Sequence, residues 1–144
     1  MFSLYIHKHM NNIKVFENDL PDDLDLSNEK FIGLDNEALG LVLGRDPLTL
    51  VQLGLESKNF YLVKVNRETF KAPNLVKVLS NSNIQFIMHY ARQDLLWLKY
   101  HLKVQPKNIF CTKVASKIAR TASSFHGYKD LVKELCGKDI SKKE

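Results

Sequence analysis

Cysteine is scarce in this chain: two residues, Cys111 and Cys136, stand in 144. Their spacing fits neither a metal knuckle nor a redox pair, so a disulfide-stapled secreted scaffold is excluded and reduced thiols in a cytoplasmic protein are expected. Long apolar runs are missing as well. The longest are strand-sized, and the one opening the chain is cut off by His7, Lys8 and His9 before it reaches signal-peptide length, so neither a signal peptide nor a spanning helix is expected. There is no internal repeat and no low-complexity tract. Basic residues are few in the first 50 positions, four against nine acids, whereas positions 51–144 hold seventeen against seven. The halves carry −5 and +10, a distribution that suits a polyanion held along a basic body beside one acidic spot, or simply a solvated surface. A chain of this length makes one domain with an ordinary core. Residues 1–11 read as an N-terminal extension, with translation beginning at Met1 or Met10, and residues 12–144 as the domain.

Alternating and continuous apolar runs at 30–37, 48–56 and 60–65 are separated by short polar breaks, which predicts three strands in an antiparallel meander. The pattern after Pro73 predicts a helix over 74–80, then a strand over 84–90. Asp94 opens an amphipathic helix through Leu95, Leu98 and Leu102, and Pro106 ends it. A short strand over 109–112 and helices over 114–120 and 129–135 follow, the last closed by Gly137. Together these make an α/β domain: a mixed sheet of the meander plus parallel strands, flanked by helices.

Chemistry concentrates at Asp35 and Glu37. Two positions apart on a strand, they share a face at the end of an apolar run, where buried carboxylates call for a cation, and a hard divalent metal is the natural one. Asp94 is a third acid, at the start of a helix that follows a strand. Alone it reads first as a helix-start device and only second as a ligand.

The blocks FIGLDNEALGL (31–41), DPLTLVQLG (46–54), HYARQDLLWL (89–98), CTKVAS (111–116) and HGYKDLVKEL (126–135) together resemble the ribonuclease D type of 3′ to 5′ exonuclease, of the DEDD superfamily and its tyrosine-bearing branch. The likeness runs in order from about residue 12 to the end. It implies a ribonuclease H-like fold, a two-metal site using Mg²⁺ or Mn²⁺, and stepwise release of nucleoside monophosphates from single-stranded RNA 3′ ends, with DNA as a further substrate. On the matching positions, Asp35 is implied to bridge both metals, Glu37 to help hold the one bearing the attacking water, and Asp94 to reach the other. The likeness also implies a fourth aspartate, four residues after a tyrosine, on a helix beyond position 135. The chain reaches Glu144 without it, so the expectation is an incomplete site lacking the last family helix, in a fragment, a degenerate protein, or a half completed by a C-terminal piece or by self-association through an uncovered sheet. Asn36 stands where a threonine is usual and is expected on the opposite strand face, away from metal.

His89, Arg92, Lys113, Lys117 and Arg120 are candidate nucleic-acid contacts, the last three at helical spacing on one face. Against this stand a satisfied structural histidine and ordinary solvated charges. Trp97 and Phe110 could stack on bases but are expected in the core. Gln52, inside an apolar strand, is expected to bond to backbone and is assigned no chemistry.

Overall fold

In the computed structural model, which describes residues 12–140, six strands form one sheet: β1 (Ile13–Glu17), β2 (Phe31–Ala38), β3 (Leu48–Leu55), β4 (Phe60–Lys64), β5 (Gln85–Met88) and β6 (Ile109–Cys111). The spatial order is β1-β4-β3-β2-β5-β6. β2, β3 and β4 are the antiparallel meander, and β5 and β6 add in parallel beside β2, so the expected mixed sheet is what forms. The proposed extension over 1–11 lies outside the described residues.

β3 is central and its run Val51, Gln52, Leu53 is buried on consecutive positions, as a strand covered on both faces must be. β2 alternates instead, turning Ile32 and Leu34 inward. Helix α1 (Pro73–Leu79) begins on a proline and buries Leu75 and Leu79, four apart, against the sheet. Its capping group comes from far away: the Asp19 carboxylate accepts the N–H groups of Asn74 and Leu75, both at 2.8 Å. Asp19→Ala is therefore expected to cost about 1 to 2 kcal/mol of stability, read as a lower urea midpoint with unchanged slope; an unchanged midpoint would show the cap to be idle.

Helix α2 (Arg92–Trp97) runs into a π-helical turn (Leu98–Leu102) that stops at Lys103 with φ of 56°. Trp97, Leu98 and Leu102 are buried there, as the amphipathic spacing requires. Helix α3 (Thr112–Ala119) follows β6 directly, and α4 (Tyr128–Cys136) ends on Gly137 at φ of 63°, in the predicted cap. Asp130 accepts the N–H of Gly127 at 3.2 Å to close the start of α4.

Three expectations are corrected. β1 was not predicted: its Lys14 and Val15 are exposed, so no clean alternation announces it, and parallel pairing with β4 holds it in place. Phe110 is 44% exposed, because β6 is a three-residue edge strand whose outer side nothing in the described chain covers. Helices α2 and α3 each begin two residues earlier than their apolar spacing suggested, since the first turn of a helix need bury nothing.

The connection from β2 to β3 is a fixed hook. The buried Asp46 carboxylate accepts the N–H of Val42 at 2.8 Å and the Arg45 guanidinium at 2.6 and 2.7 Å. Those bonds, the one from Arg45 foremost, hold its pKa down to about 2. A Cβ at Gly40 would overlap this carboxylate, so only glycine lets the hook close. Leu39, Leu41, Val42 and Leu43 are left facing solvent.

Candidate active site

Strands β2, β5 and β6 run parallel, so their C-terminal ends lie on one rim of the sheet, where crevices form in α/β folds. β5 pairs with β2 only along Phe31, Ile32 and Gly33 and then stops at Met88. Beyond Gly33 the flank of β2 has no strand beside it on that side. The chain leaves β5 through His89 and through Tyr90, at the unusual φ of 64°, and α2 comes down against that open flank.

This is what brings Asp94 to Asp35. No side chain caps α2 at Ala91; Asp94 Oδ1 reaches across instead and accepts the backbone N–H of Asn36 at 3.3 Å. The Asn36 side-chain amide donates to the Asp94 carbonyl oxygen at 3.1 Å. Asp94 is half-buried, and its pKa is pushed up to about 7, first by burial and then by the Asp35 carboxylate, against the pull of the Asn36 N–H. A hydrogen bond with Asp35 adds to the rise, because two carboxylates this close share a proton more readily than they both ionise.

Glu37 follows Asp35 on the same face of β2 by alternation, and it is exposed. The β2–β3 register slips between Glu37 and Ala38: Thr49 is the extra residue on β3, and its hydroxyl donates to the Glu37 carbonyl at 2.9 Å. Such a bulge re-aims the strand locally. Among the described residues, no three His, Cys, Asp or Glu side chains come together as a metal cluster. The structure thus joins Asp35 and Asp94 and leaves Glu37 at the end of the same strand. The Asp35–Asp94 pair by itself fits a hard dication: two oxygen donors, partly desolvated, whose repulsion the cation would relieve.

His89 lies on the same rim. Thr112 donates its only hydroxyl proton to the Met88 carbonyl at 3.2 Å, so its contact with His89 Nδ1 at 2.9 Å requires the imidazole to donate there. Nε2 then carries the lone pair. Burial, and next the Lys113 charge, lower the His89 pKa, while Asp35 partly opposes them, so the ring is neutral near pH 7. The Tyr128 ring stands edge-on to it, centroids 5.6 Å apart. Lys113 Nζ sits 4.3 Å from the centre of the Tyr90 ring, a cation–π contact that holds this charge at the rim.

The other basic candidates separate. Arg92 opens α2 and is exposed, and Lys117 is exposed on α3. Arg120 falls one residue past α3, and its guanidinium serves local structure: it donates to Ser116 Oγ and the Phe125 carbonyl, each at 3.0 Å, and pairs with Glu134 on α4. Gln52 lies directly across from Asp35 in the β2–β3 register. Directly opposed residues share a sheet face, so a residue assigned no chemistry borders the acid pair. Asn36, expected away from the metal, is in contact with Asp94. Alternation alone could not reveal it, because its contact depends on where β5 ends.

A family model described as 3′-5′ exonuclease matches residues 15–144. Ribonuclease D of Xanthomonas oryzae is 29% identical over 126 residues, covering 88% of this chain and 34% of that protein. The structure of Brucella melitensis NrnC bound to pGG is 38% identical with a TM-score of 0.85, covering 92% of this chain and 65% of that one. NrnC with bound Mg²⁺ aligns at 37% identity and a TM-score of 0.84. Escherichia coli RNase D shares the fold, at 18% identity and a TM-score of 0.73. The chain spans about a third of the length of the ribonuclease D relative and just under two thirds of the NrnC chains.

Proposed function

Because the chain belongs to the 3′-5′ exonuclease family and is ribonuclease D-like, we propose that it hydrolyses phosphodiesters stepwise from the 3′ end of single-stranded RNA, releasing nucleoside monophosphates in the cytoplasm. The observation that carries this reading is the Asp35–Asp94 pair, brought together where β5 stops short beside β2. Asp35 and Asp94 hold Mg²⁺ or Mn²⁺, with Glu37 at the end of β2 contributing when the substrate is in place. The cations, when bound, stabilise charge on the attacking and leaving oxygens of an in-line displacement at phosphorus. The protein's own groups position the strand. Neutral His89 offers Nε2 as an acceptor for a sugar hydroxyl of the terminal nucleotide. Lys113, Arg92 and Lys117 meet phosphates, and Arg120 acts through the α3–α4 junction that it ties together. Structures of NrnC with pGG and with Mg²⁺ support short oligoribonucleotides and a divalent cation as the natural probes.

A 5′-labelled single-stranded RNA incubated with Mn²⁺ should yield a ladder descending from the 3′ end and nucleoside monophosphates. A 3′-phosphorylated copy should resist. Internal cuts, or no shortening over hours, would end this reading.

A second reading is a nucleic-acid-binding domain without turnover, favoured by the absence of a three-acid cluster among the described residues and by the +10 of positions 51–144. It predicts RNA affinity that drops steeply between about 50 and about 200 mM salt, because releasing counterions into more concentrated salt gains less entropy, with no products at any Mn²⁺ concentration. Affinity that ignores salt would count against it.

A further inference from the structure

The geometry points to Asn36 as the positioning residue that sets where Asp94 stands relative to Asp35, an inference that rests on the reading of these acids as the cation site. Two bonds, one from its backbone and one from its side chain, join the same partner. The backbone N–H is available because β5 has ended: the last β2–β5 pair is Gly33 with Ile87, three residues before Asn36. On its other side, Asn36 is paired with Val51 of β3 and so is fixed in the centre of the sheet. The side-chain amide takes the Asp94 carbonyl, an oxygen that also accepts the N–H of Leu98 within the helix. Asn36 therefore grips both ends of one residue, its carboxylate and its carbonyl. The first turn of α2 cannot slide along β2 or rotate about its axis without breaking one of the two.

This arrangement answers a problem that the acid pair creates. Asp35 and Asp94 repel whenever both are ionised, and α2 is short, six residues, with no side-chain cap of its own. Buried Ala91, Trp97 and Leu98 anchor the body of the helix, but not the acid in its first turn. The amide of Asn36 supplies the opposing constraint without adding charge. Neighbours that orient ligating groups in this way typically cost 10- to 100-fold in metal affinity or activity when removed.

Asn36→Leu keeps side-chain size and the backbone N–H while deleting the amide; Asn36→Ala is the second variant should leucine disturb folding. Mn²⁺ affinity by calorimetry should fall about 10- to 100-fold. The kcat for RNA shortening should fall with it, and KM for RNA should hold within about twofold, since RNA contacts lie elsewhere. The amide of Asn36 should exchange slowly with deuterium in the wild type and at least tenfold faster in either variant. Variants that keep wild-type Mn²⁺ affinity and exchange protection would overturn the inference. Should the wild type bind no Mn²⁺, the function proposed above fails on its own, and amide exchange still decides whether Asn36 holds α2 to β2.

Discussion

Asp35→Asn is expected to reduce Mn²⁺-dependent shortening of RNA by about 1,000-fold or more, equivalent to roughly 4 kcal/mol of transition-state stabilisation, while making the metal-free protein harder to unfold. The two effects have one cause. Asp35 lies on the face of β2 that meets α2, and Asp94 rises to about 7 partly because the Asp35 charge is beside it. An asparagine removes the donor a cation needs and also the charge that Asp94 must tolerate. Activity would collapse and stability at pH 8 in EDTA would rise together, a pairing that simple misfolding cannot produce. A variant with activity within tenfold of wild type, or with a lowered melting temperature, would contradict the assignment.

The metal-free protein should also lose stability as pH rises from about 4 to 7. Asp94 returns on unfolding to the ordinary carboxylate value near 3.8, whereas in the fold burial and Asp35 hold it near 7. Across that window the folded state keeps a proton that the unfolded chain has released, so unfolding becomes easier with each increment of pH. Above about 7 the contribution is lost. Asp94 remains partly open to solvent, which screens the penalty, and a loss on the order of 2 kcal/mol is expected. That corresponds to a melting temperature lower by roughly 4 to 8 °C for a domain of this size. Differential scanning calorimetry in EDTA at pH 5 and 7.5 would read it directly. Asp94→Asn should flatten the slope, and Mn²⁺ at pH 7.5 should restore the lost stability by binding only the folded form. Asp46 works in the opposite direction and lower on the scale: its pKa is held near 2 by Arg45 and the Val42 N–H, so its contribution is present above about pH 4 and fades as pH falls toward 2. A flat profile between pH 5 and 7.5 would show that the acid pair is not strained.

The central meander was legible because alternation in β2, a mostly apolar run in β3 and polar breaks between them encode pairing locally. The same held for Leu75 and Leu79 of α1, for Leu98 and Leu102 beyond α2, and for Gly137 as a helix stop. Asp35 and Asp94 were legible as residues, and the family resemblance implied one shared site, which their contact agrees with; how the fold brings them together was not legible. It depends on β5 ending three residues before Asn36, a length that no periodicity in residues 84–90 announced. Alternation places Glu37 on the face of Asp35, but the bulge at Thr49 was not legible, because that irregularity belongs to the neighbouring strand. Arg120 shows a different limit: helical spacing grouped it with Lys113 and Lys117, yet its partners Phe125 and Glu134 lie on the far side of a turn. Phe110 was expected inside because aromatic residues near leucines usually are. Whether a strand sits at the margin of a sheet is a property of the whole arrangement.

That margin has a consequence for how the protein behaves when concentrated. β6 closes the sheet with three residues, too short a template for a neighbouring molecule to zip onto, since fibril-forming stacks need segments of about six or seven residues. Brevity there lets the chain carry an uncovered phenylalanine at its border without seeding ordered aggregates.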